Sequence, residues 1–227
     1  MAENESLVAQ VVAAVLARLN GQPAQAAGAS GKLLIPVGVS ARHVHLSPED
    51  VAELFGPGYS LTPKKPLQPG QYAAEETVTL VGPKGVLTKV RVLGPPRGHT
   101  QVEVSVTDCF TLGIPPVVRA SGHITGTPGI TVVGPKGARF LREGVIVALR
   151  HIHITPAEAA TWGLKDGDMV EVAASAGDRA LTFAQVLVRV SAASQLELHI
   201  DTDEANAAGL KSGDYVELKR SGERRGA

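Results

Sequence analysis

The chain has 227 residues, enough for one large domain or two small ones with an apolar core. Its 22 Lys and Arg residues balance 22 Asp and Glu residues, which argues against a general nucleic-acid binder. No apolar run is long enough to cross a bilayer, and a single cysteine, Cys109, excludes an internal disulfide. The 25 glycines and 15 prolines, set among short valine-rich runs, predict a mainly β chain.

Residues 1–20 predict an amphipathic helix, because their apolar side chains repeat at helical spacing. Glu3 and Glu5 near its start and Arg18 near its end suit the helix dipole. Residues 21–31 are rich in Ala, Gly, Gln and Ser and predict a flexible linker. A helix this short is marginal in water unless its apolar face is covered. It either docks on its own body or binds a groove in another protein as an assembly tag.

Two copies of the phrase Arg-His-x-His, at 42–45 and 150–153, have similar apolar flanks that predict strands. Residues i and i+2 of a strand point to one face, so each phrase presents two imidazoles side by side. The paired imidazoles are His43 with His45 and His151 with His153. Such pairs on a strand are typical of zinc ligands. The alternative is two half-buried strands whose histidines make only hydrogen bonds, but the repetition favours a metal.

A longer repeat surrounds these phrases. Residues 159–172 and 205–218 share a short helix, then Gly-Leu-Lys-x-Gly-Asp, then a strand. The strand ahead of the second copy carries His199, and a weaker copy follows a strand that carries Glu103. The chain therefore contains four similar units, each with a ligand-bearing strand and a short helix. Repeats of this kind predict small β-barrels that are built from duplicated halves.

The repeats place six donor side chains at corresponding positions of four strands, and these strand ends converge in a pseudosymmetric pair of barrels. The six donors are His43, His45, Glu103, His151, His153 and His199. Five imidazoles and one carboxylate exceed the needs of one tetrahedral zinc ion and suit two, each with room for water or substrate. The predominance of nitrogen donors favours zinc over magnesium. On its own, Glu103 would be interpreted as a surface carboxylate.

Arg97 lies in a Pro- and Gly-stiffened loop just ahead of the Glu103 strand. A guanidinium beside a cationic metal site is suited to bidentate binding of phosphate or carboxylate, and the alternative is a solvated loop arginine. Cys109 follows the same strand without an evident base, so we expect a buried structural thiol. His99 and His123 have no counterpart in the repeats and are expected to be polar loop residues.

Together these motifs resemble the phosphate propanoyltransferases of the propanediol-utilisation type, the phosphotransacylases of bacterial microcompartments. The resemblance covers residues from about 34 to 218 and depends on the segments 39–47, 94–103, 119–122, 150–154 and 198–201. It implies two β-barrel domains with two zinc ions between them. It also implies exchange between acyl-coenzyme A (propanoyl or acetyl) plus phosphate and acyl phosphate plus free coenzyme A.

The resemblance assigns all six donors to zinc and Arg97 to phosphate. It assigns coenzyme A contacts to Ser40, Lys65, Arg91, Leu93 and Asn206. Lys64 is an alternative to Lys65, since the local spacing is ambiguous. The family's barrels also exchange strands, which implies one barrel from residues 32–41 plus 150–220, another from 42–149, and a tail at 221–227.

The resemblance also favours the assembly interpretation of residues 1–20, which are similar to the family's encapsulation peptide. It implies a place in the lumen of a bacterial microcompartment, with shell or cargo proteins as partners, and it allows a homodimer. Two other functions remain open: a zinc-dependent hydrolase with the same ligands, and a non-catalytic binding barrel. The acyl chain is not fixed, because acetyl and propanoyl differ by one methylene, worth only ~1–3 kcal/mol in a pocket.

Overall fold

The computed structural model describes residues 32–175 and 177–219. The predicted helix at 1–20, the linker at 21–31 and the tail at 221–227 lie outside these residues. Within the described part of the chain, no helix combines the length and the apolar character that crossing a membrane requires.

Fifteen strands and four short helices make up the described residues. The strands are β1 (Leu34–Ser40), β2 (His43–His45), β3 (Pro63–Pro66), β4 (Tyr72–Val81), β5 (Val86–Gly94), β6 (Gln101–Glu103), β7 (Val118–Arg119), β8 (Ile130–Val133), β9 (Ala138–Leu141), β10 (Val145–Ala148), β11 (His151–Ile154), β12 (Met169–Ala174), β13 (Leu181–Val190), β14 (Glu197–Asp201) and β15 (Tyr215–Lys219). The helices are α1 (Pro48–Phe55), α2 (Val106–Leu112), α3 (Pro156–Trp162) and α4 (Thr202–Ala208). The prediction of a mainly β chain is confirmed.

Six strands form a closed barrel in the order β1-β14-β11-β13-β12-β15. The ring closes through β1, which pairs in parallel with β14 and antiparallel with β15. Its core consists of the inward-pointing apolar residues of all six strands, and Ile35, Ile152 and Leu198 are fully buried there. The first strand of the body thus completes a barrel whose other strands come from the end of the chain.

The remaining strands form a nine-stranded sheet in the order β7-β10-β6-β2-β5-β4-β8-β9, with β3 paired to β4. This sheet curls as a half-barrel around its own apolar core, in which Leu54, Val92 and Val102 are fully buried. The barrel prediction is confirmed, although only one of the two sheets closes. The open edges of this sheet are β7, which has two residues, and β9, in which three of four residues are exposed.

A helix begins directly after each of the four ligand-bearing strands, as the repeats predict. The N-cap residues are Ser47, Ser105, Thr155 and Asp201. Each side chain accepts a hydrogen bond from the backbone N–H three residues later, which satisfies a donor that the first turn leaves unpaired. The caps therefore fix the point at which each ligand strand ends and its helix starts.

Candidate active site

Strand pairing brings the six predicted donors into two clusters. In the antiparallel pair of β2 and β6, His43 lies opposite Glu103. In the antiparallel pair of β11 and β14, His151 lies opposite His199. We call His43, His45 and Glu103 the Glu103 cluster, and His151, His153 and His199 the His199 cluster. Within each cluster the ligand atoms all lie within 4.8 Å of one another.

The Glu103 cluster is buried, and its histidines face the carboxylate. The carbonyl of Ala41 accepts a hydrogen bond from His43 Nδ1 at 2.9 Å, which leaves Nε2 of that ring 3.4 Å from Glu103 Oε2. Nε2 of His45 lies 3.9 Å from Glu103 Oε1. Nδ1 of His45 is buried and makes no hydrogen bond to the described residues. Three converging N and O donors, with one orphaned ring nitrogen, fit a divalent metal ion.

The His199 cluster repeats this arrangement with nitrogen alone. The carbonyl of Leu149 accepts a hydrogen bond from His151 Nδ1 at 2.8 Å, so Nε2 of that ring faces the cluster. It lies 3.1 Å from Nε2 of His153. The ring centroids of the three histidines are 4.6 to 5.2 Å apart. Imidazoles this close also fit a metal ion, because one cation can bind several nitrogen lone pairs.

The electrostatic setting keeps three imidazoles neutral at pH 7. Burial, followed by the charge of His43, lowers the pKa of His45 to about 3. Burial, followed by the charge of His199, lowers the pKa of His151 to about 4 and that of His153 to about 2. A neutral imidazole has a free lone pair, which is the form that binds metals.

His43 and Glu103 behave as a charged pair. Burial lowers the pKa of His43, but the charge and hydrogen bond of Glu103 more than offset it, and the pKa lies above its usual value. Burial raises the pKa of Glu103, but the His43 charge outweighs it and holds that pKa well below its usual range. The Glu103 carboxylate is therefore ionised and ready to bind a cation.

A cavity of about 730 Å³ is lined by residues of the closed barrel and of the nine-stranded sheet, and both clusters face it. Arg97 faces the same cavity. Its backbone N–H donates to the carbonyl of Leu46, which anchors the loop to the end of β2. Its guanidinium donates to Gln71 Oε1 at 3.2 Å and to Ser121 Oγ at 3.5 Å. Arg97 thus has neutral partners beside the two clusters of candidate metal ligands.

Three of the five predicted coenzyme A contacts line this cavity: Ser40, Lys65 and Leu93. The alternative lysine, Lys64, forms an ion pair with Glu75 at 2.6 Å and is absent from the cavity wall. The structure therefore places Lys65, rather than its neighbour, at the cavity.

The other two predicted contacts do not line the cavity. The guanidinium of Arg91 donates to the carbonyls of Ala74 and Glu75 at 2.9 and 2.7 Å. Asn206 lies exposed on α4. These residues are not brought together with the donor clusters, and their contact with coenzyme A stays a prediction.

The arginine of each Arg-His-x-His phrase has a structural partner that sequence reasoning missed. Arg42 pairs with Asp108 at 3.0 Å, and Arg150 pairs with Glu204 at 2.9 Å. Both carboxylates belong to the N3 residue of a capping box, which is the third residue of the helix, so each also accepts a hydrogen bond from the N-cap backbone N–H of α2 or α4. Each arginine therefore ties one ligand strand to the helix that follows its partner strand. The repeated arginine and the capping-box sequences are the signals from which these ion pairs could have been predicted.

Three further groups orient Glu103. Gln101 Nε2 and Ser121 Oγ donate to Glu103 Oε1 at 2.6 and 2.9 Å. The backbone N–H of Gly122 donates to Gln101 Oε1 at 2.7 Å, which fixes the amide. Outer partners of this kind hold a ligand carboxylate in place. Ser121 and Gly122 belong to the 119–122 motif, for which the sequence suggested no role.

A second network, also missed from the sequence, surrounds His199. Glu197 Oε2 is 2.7 Å from His199 Nε2 and accepts from Gln68 Nε2 at 3.0 Å. Gln68 lies between β3 and β4, so this bond joins the two sheets at the site. Gly38 of β1 lies beside this network, and a Cβ there would come within 2.7 Å of Glu197 Cδ. The glycine leaves the room that Glu197 occupies.

The remaining candidates lie outside the clusters. Cys109 is buried in the core of the nine-stranded sheet, where burial and the Asp108 charge raise its pKa to about 11. A thiol of that pKa is a poor nucleophile, which agrees with a structural role. His99 and His123 are exposed.

Residues 36–211 match the phosphate propanoyltransferase family. The chain belongs to this family. This range includes all six cluster residues and Arg97, and membership makes the chain an acyltransferase, as its motifs predict.

Curated phosphate propanoyltransferases are similar over most of this family member. That of Thermotoga maritima is 60% identical over 164 residues, which cover 72% of this chain and 78% of the relative. That of Rhodobacter capsulatus is 51% identical over 195 residues, or 86% and 88% of the two chains. That of Salmonella typhimurium is 57% identical over 165 residues, or 72% and 78%.

Proposed function

We propose that the chain exchanges an acyl group between coenzyme A and phosphate at two zinc ions, with propanoyl or acetyl groups as substrates. The observation that carries the proposal is the meeting of two three-donor clusters and Arg97 on one cavity. Family membership supports the same reaction, because the similar proteins are named for phosphate and propanoyl groups.

In this proposal, the Glu103 cluster holds one zinc ion and the His199 cluster holds the other. Five nitrogen donors and one carboxylate favour zinc over the harder magnesium and calcium ions. When bound, zinc supplies Lewis-acid stabilisation of negative charge on phosphate and on a leaving thiolate. The hydrogen bonds of His43 and His151 to backbone carbonyls leave the Nε2 atoms of both rings directed at their clusters.

Arg97 binds the phosphate oxygens in the fork geometry of a guanidinium, and Gln71 and Ser121 hold it in place beforehand. A phosphate oxygen then attacks the carbonyl carbon of the thioester. The new C–O bond forms as the C–S bond breaks, and the proton of the phosphate ends on the sulfur of free coenzyme A. No acyl-enzyme is required, which agrees with the burial and high pKa of Cys109.

Coenzyme A enters along the cavity wall that Ser40, Lys65 and Leu93 line. Arg91 and Asn206 stand outside this wall and are assigned to the nucleotide end of the molecule. Lys65 is exposed and positively charged, so it is suited to one of the coenzyme A phosphates.

We also propose that residues 1–20 direct the chain into a microcompartment lumen, where it binds shell or cargo proteins and serves propanediol degradation. Residues 32–41 plus 150–220 form the closed-barrel domain, residues 42–149 form the half-barrel domain, and two copies pair as a homodimer. Deletion of residues 1–20 is expected to leave catalysis intact while encapsulation fails. Loss of soluble, folded protein in that deletion would contradict the assignment.

The decisive experiment follows free thiol release from propanoyl- and acetyl-coenzyme A, with and without phosphate and with and without a chelator. We expect release that requires phosphate and stops when metal is removed. Release without phosphate would identify a hydrolase, which is the second candidate because its ligands are the same. A chain with bound zinc and no thiol release would be a binding barrel.

A further inference from the structure

A second arginine faces the cavity from the closed barrel. Arg189 lies on β13, directly opposite His153 in the parallel pairing with β11. Its side chain lines the same cavity as Arg97 and both clusters. Arg97 precedes β6 of the nine-stranded sheet, so the two guanidinium groups approach the cavity from different sheets.

The carboxylates of the cavity wall have other contacts. Glu103 lies 3.4 Å from His43, Glu197 lies 2.7 Å from His199, and Asp201 accepts the Glu204 N–H at 2.8 Å as the N-cap of α4. Within the described part of the chain, neither Arg97 nor Arg189 has a carboxylate within 4.0 Å, the range of an ion pair. A half-buried guanidinium without a counter-ion favours the binding of an anion.

The two arginines also interact electrostatically. Burial lowers the pKa of Arg97, and the positive charge of Arg189 lowers it further against the opposing charge of Glu103. Two like charges that face one cavity repel when it holds no anion. An anion bound between them removes that repulsion and gains hydrogen bonds from both forks.

We propose that Arg189 is a second anion-binding residue of the active site and, together with Arg97, holds the phosphate that attacks the thioester. This inference rests on the proposed function. Arg189 stands beside a donor cluster, where the reacting groups meet, whereas the phosphates of coenzyme A lie a full pantetheine arm away from its sulfur. The transferred phosphate is therefore the assigned ligand. Two guanidinium groups, one on β13 and one in the loop before β6, fix its orientation toward the carbonyl carbon.

Steady-state kinetics of Arg189→Gln test this assignment. Phosphate is varied at saturating propanoyl-coenzyme A, and propanoyl-coenzyme A is then varied at saturating phosphate. We expect the KM for phosphate to rise about tenfold or more, since a bidentate contact is lost, and the KM for propanoyl-coenzyme A to stay within about twofold. Arg189→Lys keeps the positive charge but cannot make a bidentate contact. Its KM for phosphate is expected to lie between that of the unaltered protein and that of Arg189→Gln.

Arg142→Gln is the matched control, because Arg142 is exposed and does not line the cavity. Both of its KM values are expected to equal those of the unaltered protein. An unchanged phosphate KM in Arg189→Gln would overturn the proposal. A rise confined to the KM for propanoyl-coenzyme A would also overturn it, because it would assign Arg189 to the phosphates of coenzyme A.

Binding of inorganic phosphate gives a second measurement that does not depend on turnover. Phosphate is expected to raise the melting temperature of the unaltered, metal-loaded protein and to raise that of Arg189→Gln less. An equal rise in both proteins would refute the assignment even if Arg189→Gln is inactive. Thiol release without phosphate would instead refute the proposed function, while the melting measurement still reports on Arg189.

Discussion

The Glu103 cluster and the His199 cluster follow one plan but differ in where the carboxylate lies. In the first, β6 presents Gln101 opposite His45 and Glu103 opposite His43. In the second, β14 presents Glu197 opposite His153 and His199 opposite His151. In the first cluster the acid, Glu103, is itself one of the three candidate metal ligands. In the second the acid, Glu197, lies two residues earlier on its strand and forms a hydrogen bond with the candidate ligand His199.

This difference in the position of the acid gives the two clusters different electrostatic environments. A metal ion in the Glu103 cluster would be partly neutralised by a buried carboxylate, whereas one in the His199 cluster would meet three imidazoles. His153 and His199 are also half-buried, while every member of the Glu103 cluster is buried. The His199 cluster is therefore the more accessible of the two, and under the proposed function we expect it to be the one that receives phosphate or a thiolate.

The largest expected effect comes from removing one donor in each cluster. Glu103→Gln and His153→Asn are each expected to lose about one bound zinc and about 100-fold or more of activity, because each cluster has only three protein donors. Elemental analysis of the purified variants measures the metal. Glu171→Gln, an exposed acid on β12, should keep both zinc ions. Loss of both ions from either variant would show that the clusters are not independent.

Arg97→Ala is expected to keep both zinc ions and lose about 100-fold of phosphate-dependent turnover, or ~3 kcal/mol of transition-state stabilisation. Arg97 bonds to Gln71 and Ser121 and is not itself a cluster donor, so the metal content should not change. Metal analysis and kinetics on the same preparation check both points. Full turnover at saturating phosphate would exclude Arg97 from the reaction.

Gly38→Ala should disturb the His199 cluster and the Glu197 network around it. The added Cβ would meet Glu197 at 2.7 Å and His199 Cδ2 at 3.0 Å, so the network must shift. We expect a loss of about 1–3 kcal/mol in the free energy of unfolding, measured with denaturant. Gly98→Ala serves as the stability control because its Cβ would meet no atom within 4 Å. Equal free energies of unfolding for the two variants would mean that Glu197 and His199 can move away from the added Cβ without loss of stability.

The smallest expected effect is on how the free energy of unfolding depends on pH. In protein stripped of metal, the pKa of His153 is about 2 in the folded state and 6.5 is its ordinary value. The unfolded chain therefore takes up this proton first, and the free energy of unfolding falls as the pH drops below about 6.5. His153→Asn is expected to weaken this dependence between pH 7 and 5, measured by denaturant unfolding. An unchanged slope would show that His153 is not the group responsible.

Much of the site could be predicted from local sequence signals. The His-x-His spacing on a strand predicts that the two histidines of each pair lie on the same face. The repeated unit predicts that Glu103 and His199 belong to the same set of candidate ligands, because each is followed by a similar cap and helix. Arg189, Glu197 and Gln68 could not be found in this way. Their roles depend on strand register and on a loop that reaches from one sheet to the other, and no short motif records either. The half-open form of the second sheet could not be predicted either, because no local signal shows whether its two end strands pair with each other.

The path of β1 has a consequence for how this chain can be shortened. The strand joins β14 to β15 before the chain continues into the other sheet. A chain that starts after residue 41 retains all six donors, yet its ring is broken between two strands whose backbone N–H and C=O groups have lost their partner. Such edges are templates for association. Truncated copies are thus expected to aggregate, and a supplied peptide of residues 32–41 should close the ring again and reduce aggregation.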